Sequence, residues 1–121
     1  MKIHFKRVDH IQICIPKGKE EDARKFYSDL LGLKEIEKPD SLKGNGGLWF
    51  RIADVELHLG VENEVNHSKQ HPAFEIEDLE TIKKYIAGNN ILINEELPVP
   101  GIKRFSFRDP FGNRIELLEK L

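Results

Sequence analysis

The chain has 121 residues, 39% of them hydrophobic, and a formal net charge of −2 that results from 19 basic and 21 acidic residues. A chain of this length forms one domain and buries roughly two thirds of its unfolded surface, so it needs no disulfide to hold a core. Charges of both signs are interspersed without a basic stripe, which excludes the electrostatic footprint of a nucleic-acid-binding protein.

The single cysteine and the polarity of the chain predict a cytoplasmic protein. Cys14 cannot form a disulfide within the chain, which favours a reducing compartment. Residues 1–7 are too short and too polar for an export signal, and no apolar run approaches the roughly 18 residues of a membrane span. We therefore expect no association with a membrane.

The first half of the chain predicts a strand, a helix and further strands. In residues 7–16, isoleucines alternate with polar or small residues that include His10, which is the pattern of a half-buried strand. Acidic residues then begin an amphipathic helix at Glu20, and Gly32 supplies its C-terminal stop. The remaining elements of this half are a mobile, glycine-rich loop at 39–47 and strands at 48–52 and 55–61.

The second half repeats this order with different residues. Residues 71–76 alternate again, Asp78 is a plausible helix N-cap, and a helical apolar stripe runs from there to Gly88. The segment 109–113 reads Asp-Pro-Phe-Gly-Asn and has proline and glycine where a tight turn requires them. Strands at 103–108 and 114–118 flank this turn.

Each half is therefore predicted to be a βαβββ module. Module one spans about 5–61, a polar linker spans 62–70, and module two spans 71–121. Neither module has enough layers to close a core alone, so we expect both to pack as one domain, 1–121, of the α+β class. In this fold a curved mixed sheet surrounds a central groove, and the helices lie outside.

Strand parity predicts which side chains face the groove, because alternate residues of a strand point to opposite faces. If the apolar residues face the helices, the opposite faces carry His10, Gln12 and Cys14; Trp49 and Arg51; Glu56 and His58; His71 and Glu75; Arg104 and Ser106; and Arg114, Glu116 and Leu118.

Four of these residues form two matched pairs. His10 lies 46 residues before Glu56, and His71 lies 45 residues before Glu116. Two histidines and two carboxylates are a sufficient ligand set for a divalent cation, and a duplicated fold would bring them together. The pattern therefore predicts a metal site in the groove.

Five sequence pieces in a fixed order resemble the vicinal oxygen chelate superfamily, which contains glyoxalase I, thiol transferases of fosfomycin resistance, extradiol dioxygenases, methylmalonyl-CoA epimerase and metal-free bleomycin-resistance proteins. The resemblance covers about 8–119 and implies paired βαβββ modules around a divalent cation. Its pieces are VDHI at 8–11, FYSDLLGL at 26–33, ELHLG at 56–60, HPAF at 71–74 and FRDPFGNRIE at 107–116.

The resemblance implies the ligand positions as well. His10, His71 and Glu116 match the three commonest ligand positions of the family. A fourth ligand comes from the last strand of the first module, where Glu56 is the equivalent of Glu116. His58 lies two residues further on the same strand face and is an equally good donor, so the fourth position is open between Glu56 and His58, with the other as a base or hydrogen-bond partner.

By this resemblance the protein is expected to be a metal-dependent enzyme of the glyoxalase type, with lyase, isomerase or proton-transfer activity on a small molecule that binds through vicinal oxygens. Glu116 or Glu56 would act as the general base. Mixed nitrogen and oxygen ligands suit Ni, Co, Mn, Fe or Zn. Trp49, Arg51 and Arg104 are candidate substrate contacts, although salt bridges to neighbouring glutamates explain the arginines equally well.

Three other functions use the same groove. A thiol transferase of the antibiotic-resistance type would need a cationic pocket, and an extradiol dioxygenase also uses two histidines and one glutamate. A non-enzymatic small-molecule binding protein typically lacks the ligand set. Members of the family commonly form homodimers, in some cases by exchanging modules, so a homodimer is the expected assembly.

Overall fold

The computed structural model describes residues 1–64 and 68–121 of the chain. It contains two compact units, one up to residue 65 and one from residue 66, which we call the first and the second unit. Residues 65–67 of the predicted linker lie outside the described residues. Among the described residues, no helix has the length and apolarity that crossing a membrane requires.

The first unit is a four-stranded mixed sheet with one main helix. The strand order is β1-β4-β3-β2, in which β1 and β4 are parallel and the other pairs are antiparallel. The strands are β1 (His10–Pro16), β2 (Lys34–Ile36), β3 (Leu48–Ile52) and β4 (Val55–Glu62). The helix α1 (Glu20–Arg24) continues as a π-helical segment (Lys25–Leu30).

The helix of the first unit begins and ends where the sequence predicts. Its first turn is acidic, which suits the positive end of the helix dipole. The backbone N–H of Leu31 bonds to the carbonyl oxygen of Phe26 five residues earlier, which is the π-helical pattern. Phe26 and Tyr27 are buried in this segment and contribute the helical side of the core.

The glycine-rich segment before β3 is more regular than the predicted loop. A 3-10 helix, Asp40–Asn45, replaces most of it. Gly47 follows with a φ of +84°, and a Cβ atom there would lie 2.0 Å from the carbonyl oxygen of Leu59. Only glycine allows this close approach, which brings the chain into β3 beside β4.

The second unit repeats the topology of the first. Its strand order is β5-β8-β7-β6, again with one parallel pair, β5 with β8, and antiparallel pairs elsewhere. The elements are β5 (Ala73–Glu75), α2 (Leu79–Gly88), β6 (Asn94–Glu95), β7 (Ile102–Arg108) and β8 (Arg114–Lys120). The predicted α+β class with two βαβββ modules is therefore confirmed.

The start of α2 differs from the predicted N-cap. Asp78 occupies the cap position, but it has a φ of +56° and its side chain makes no capping hydrogen bond. The carboxylate of Glu119 on β8 instead accepts hydrogen bonds from the backbone N–H groups of Asp78 at 3.1 Å and Leu79 at 3.2 Å. A residue distant in sequence thus satisfies the donors that a local cap would have satisfied.

The predicted Asp-Pro-Phe-Gly-Asn turn is present. Oδ1 of Asp109, a buried residue, accepts the backbone N–H groups of Phe111 at 2.9 Å and Asn113 at 2.8 Å, while Gly112 has a φ of +95°. These bonds hold the β7–β8 connection and thereby set the register that places Ser106 opposite Glu116.

Candidate metal centre

The first unit brings its predicted site residues together on one face of the sheet. His10 is the direct neighbour of Glu56 across the parallel β1–β4 pair. Across the antiparallel β3–β4 pair, Arg51 lies opposite Glu56 and Trp49 lies opposite His58. The parity predicted for these five residues is therefore observed.

Three aromatic rings of this face form a stack. The ring of His58 lies parallel to the Trp49 indole with centroids 3.8 Å apart, and on its other side it stacks on His10 at 4.1 Å. The side chain of His58 is only 7% exposed, and its Nε2 lies 2.9 Å from Oε1 of Glu56. Because an ionised carboxylate only accepts hydrogen bonds, Nε2 of His58 carries the proton in this contact.

His10 has the opposite tautomer. Its Nδ1 lies 2.8 Å from Oδ2 of Asp9, so Nδ1 donates to this carboxylate and Nε2 keeps its lone pair in the neutral ring. The same hydrogen bond is the main cause that lowers the pKa of Asp9 below its usual value. Asp9 was not predicted from the sequence as a site residue, although an acidic residue directly before a candidate ligand is a signal for such a partner.

The second unit places a histidine and a glutamate in contact. Nδ1 of His71 lies 2.7 Å from the carbonyl oxygen of Lys69, to which it donates, so Nε2 again keeps its lone pair in the neutral ring. This Nε2 lies 3.4 Å from Oε1 of Glu116, whose side chain is 6% exposed. His71 precedes Ala73, the strand neighbour of Glu116, by two residues. His10 is thus the direct strand neighbour of Glu56, whereas His71 lies two residues before the strand neighbour of Glu116. In each pair the two residues still share one face of the sheet.

Two arginines of the second unit are held by their neighbours. Arg104 donates from Nη1 to Oε1 of Glu116 at 3.1 Å, and from Nε and Nη2 to the carbonyl oxygen of Leu97 at 3.2 and 2.9 Å. Arg114 donates to Oε1 of Glu96 at 2.7 Å. The nearby Ser106 hydroxyl and the hydrogen bond and charge of Arg114 hold the pKa of Glu96 below its usual value.

Arg51 of the first unit is held less firmly. Its Nη1 lies 3.4 Å from the carbonyl oxygen of Val55, and its Nη2 lies 3.5 Å from Oε2 of Glu56. The side chain is 47% exposed. Its donors are therefore better placed than those of Arg104 to reach a further acceptor.

Within residues 1–64 and 68–121, no three or more His, Cys, Asp or Glu side chains form a group that could hold a metal ion. Each unit by itself contains a histidine whose Nε2 keeps its lone pair and a glutamate on the same sheet face. The donor types fit a divalent cation, because each unit offers one imidazole nitrogen and one carboxylate.

The comparisons with known proteins agree with this fold. The family model of the Glyoxalase/Bleomycin resistance protein/Dioxygenase superfamily matches residues 7–117. No curated protein sequence matches the chain significantly. A crystal structure of a glyoxalase family protein from Bacillus anthracis is 39% identical, with 100% of each chain covered and a TM-score of 0.93.

Two more distant structures share the fold but differ in their described functions. The lactoylglutathione lyase from Agrobacterium tumefaciens is 18% identical, with 96% of this chain and 95% of that chain covered and a TM-score of 0.75. TnmS3, an antibiotic binding protein from Streptomyces sp. CB03234, is 19% identical, with 98% and 100% covered and a TM-score of 0.74. By its family match, the chain belongs to the Glyoxalase/Bleomycin resistance protein/Dioxygenase superfamily.

Proposed function

We propose that this protein is a metal-dependent enzyme of the glyoxalase type, which acts on a small molecule with vicinal oxygens. The proposed ligands are His10 and Glu56 from the first unit and His71 and Glu116 from the second. The observation that carries the proposal is that Nδ1 of each histidine lies within hydrogen-bond distance of an oxygen atom. Each uses Nδ1 to donate to an oxygen and leaves Nε2 as the donor atom for a metal.

The His71–Glu116 contact supports this reading further. Nε2 of a neutral His71 and the Glu116 carboxylate are both acceptors, yet they lie 3.4 Å apart. Two facing acceptors at this distance are stabilised when a positive charge lies between or beside them, and a divalent cation would provide it. Arg104, 3.1 Å from the same oxygen of Glu116, and a proton on His71 are the competing sources of that charge, and metal binding would displace the proton.

For the fourth position we propose Glu56 as the ligand and His58 as the residue that orients it. His58 already uses its Nε2 proton for Glu56, and its ring is enclosed between Trp49 and His10. Binding a cation through Nε2 would break the hydrogen bond, and Nδ1, which keeps its lone pair in the neutral ring, belongs to a side chain that is only 7% exposed. Glu56 needs no such rearrangement, since Oε2 makes only a 3.5 Å contact with Arg51.

The cation, when bound, supplies a Lewis acid that polarises a substrate oxygen. The two glutamates are the groups of this chain that can move a proton, because each is a carboxylate at the site. Glu56 is held by His58, and Glu116 is held by Arg104, so both carboxylates are oriented before substrate arrives. Trp49 and Arg51 lie on the same face and are the proposed substrate contacts of the first unit.

The test is the metal content of protein purified without chelator or affinity tag, measured by plasma mass spectrometry before and after addition of divalent ions. We expect about one ion per chain or per site, and loss of binding in His71→Ala. His4→Ala is the matched control, because His4 is exposed and lies outside the strands. Absence of stoichiometric metal in the wild type under both conditions would refute the proposal.

A non-enzymatic binding protein is the second candidate. The specific observation in its favour is that Oε1 of Glu116 is already engaged by Arg104 at 3.1 Å, which is a charge partner that a metal ligand does not require. The metal measurement separates the two candidates. Tight binding of small molecules by a protein that takes up no metal would support this second function.

A further inference from the structure

Four polar residues form a row across the sheet of the first unit. Glu56 on β4 lies between its two strand neighbours, His10 on β1 and Arg51 on β3. Arg51 in turn is the neighbour of Lys34 on β2, an edge strand of this sheet. Adjacent strands are about 4.8 Å apart, so two cations follow directly on the two residues that the first unit is proposed to give to the metal.

The side chain of Lys34 belongs to the same face as that of Arg51. The adjacent residue, Glu35, faces the helix, because its Oε1 accepts a hydrogen bond of 2.7 Å from Nε of Arg24 on α1. Successive residues of a strand point to opposite faces, so Lys34 points away from the helix. It is exposed, and it makes no hydrogen bond or ion pair with the part of the chain that the structure describes.

Arg51 has longer contacts than any other arginine of the chain. Each of the other arginines has a contact of 2.9 Å or shorter. The contacts of Arg51 are 3.4 Å to the carbonyl oxygen of Val55 and 3.5 Å to the carboxylate of Glu56. A guanidinium presents its donors in a fixed fork, and the fork of Arg51 is therefore available to an oxyanion.

Lys34 and Arg51 are like charges on directly opposed residues of an antiparallel strand pair. Such an arrangement costs free energy. Glu56 is the acidic neighbour that offsets the charge of Arg51, and coordination of a metal would take up that carboxylate. A bound oxyanion would replace it as the counter-charge of both cations.

We propose that Arg51 and Lys34 form an anion subsite and that the substrate is an acid, which carries a carboxylate or a phosphate beside its vicinal oxygens. Arg51 binds this group through its fork, and Lys34 contributes an ammonium charge. The proposal rests on the metal-dependent function only for the vicinal oxygens, since the subsite itself consists of side chains of the first unit.

The test compares malate with β-malamate, in which an amide replaces the carboxylate remote from the hydroxyl. Amide NMR shifts of β2 and β3 give the dissociation constant of each ligand, with and without saturating Zn²⁺. Malate should bind about 10-fold more tightly than β-malamate, because its second carboxylate accepts charge-assisted hydrogen bonds. A comparison of malate with phosphoglycerate then shows which of the two oxyanions the subsite prefers.

The double variant Lys34→Met/Arg51→Leu should abolish the preference for malate. Lys25→Met is the matched control, because it removes a positive charge from an exposed residue of the helical segment and should leave the preference intact. The amide spectrum of each variant verifies its fold. If the second carboxylate of malate only chelates Zn²⁺, the double variant keeps the preference.

That result would overturn the proposal, as would equal binding of malate and β-malamate by the wild type. Absence of any shift with malate in both metal states would overturn it as well. Absence of metal uptake refutes the metal-dependent function instead, and the preference of the metal-free protein then decides the anion subsite alone.

Discussion

His58 and Glu56, two residues apart on β4, are joined by a hydrogen bond of 2.9 Å between Nε2 and Oε1. The bond decides which tautomer His58 adopts and where the Glu56 carboxylate points. In our proposal it therefore gives different roles to two residues that strand parity alone treats as equal candidates for the fourth ligand position.

We predict that Glu56→Ala weakens metal binding more than His58→Ala does. Removal of an orienting partner typically costs about 10-fold to 100-fold in metal affinity, and removal of a ligand costs more. Isothermal titration calorimetry with the same metal on both variants measures the difference. Equal losses, or a larger loss in His58→Ala, would show that His58 is the ligand.

Trp49 should report metal binding by its fluorescence. It is the only tryptophan of the chain, and its indole lies 3.8 Å from the His58 ring. Coordination by Glu56 would alter the hydrogen bond of that ring and hence the environment of the indole. We expect emission to change with the midpoint found by calorimetry, and the change to shrink in His58→Leu. If the emission spectrum of Trp49 does not change at saturating metal concentration, the placement of the site is contradicted.

Arg104→Leu should destabilise the metal-free protein by about 3 kcal/mol, because it leaves the buried Glu116 carboxylate without its cationic partner. Saturating metal should recover part of this loss, since binding to the folded state adds stability. Urea unfolding with and without metal measures both values. Arg24→Leu, which removes a more exposed ion pair with Glu35, is the control and should cost less than about 1 kcal/mol. If metal does not reduce the loss of unfolding free energy in Arg104→Leu, this result would argue against Glu116 as a ligand.

Glu119→Ala should cost about 1 kcal/mol through the start of α2, because two backbone N–H groups lose their acceptor. Glu80→Ala, at an exposed position of the same helix, is the matched comparison. Free energies of unfolding in urea give both costs. If both variants lose the same free energy of unfolding, water satisfies the N–H groups at the start of α2 as well as Glu119 does.

The stability contribution of Glu96 should depend on pH. The pKa of Glu96 is lower in the folded protein than in the unfolded chain. Its contribution to stability is therefore fully present above the unfolded carboxyl pKa of about 4.3, and it is lost as the pH falls through the pKa of the folded state. The wild type should therefore exceed Glu96→Gln in stability at pH 7, and this advantage should shrink below a pH of about 4. A constant difference across that range, measured by urea unfolding, would contradict the ionised Glu96–Arg114 pair.

Local sequence patterns predicted much of the fold. The turn at 109–113 depends on residues within five positions, because its buried Asp109 accepts backbone N–H groups of Phe111 and Asn113. By contrast, β2 and β6 are three and two residues long, too short for any periodic signal, and they exist because β3 and β7 offer them partners. The cap on α2 from Glu119 also could not be predicted, because it joins residues about 40 positions apart.

The sequence by itself determined which residues share a face, because side chains alternate along a strand whatever the strand's neighbours are. Tertiary structure alone decided the register that sets His10 beside Glu56 and the different register that sets His71 two residues before the neighbour of Glu116. It also decided the histidine tautomers, since a ring nitrogen donates to the oxygen that folding brings near it. Hydrogen-bond partners are chosen by distance in space, and a linear pattern does not contain that distance.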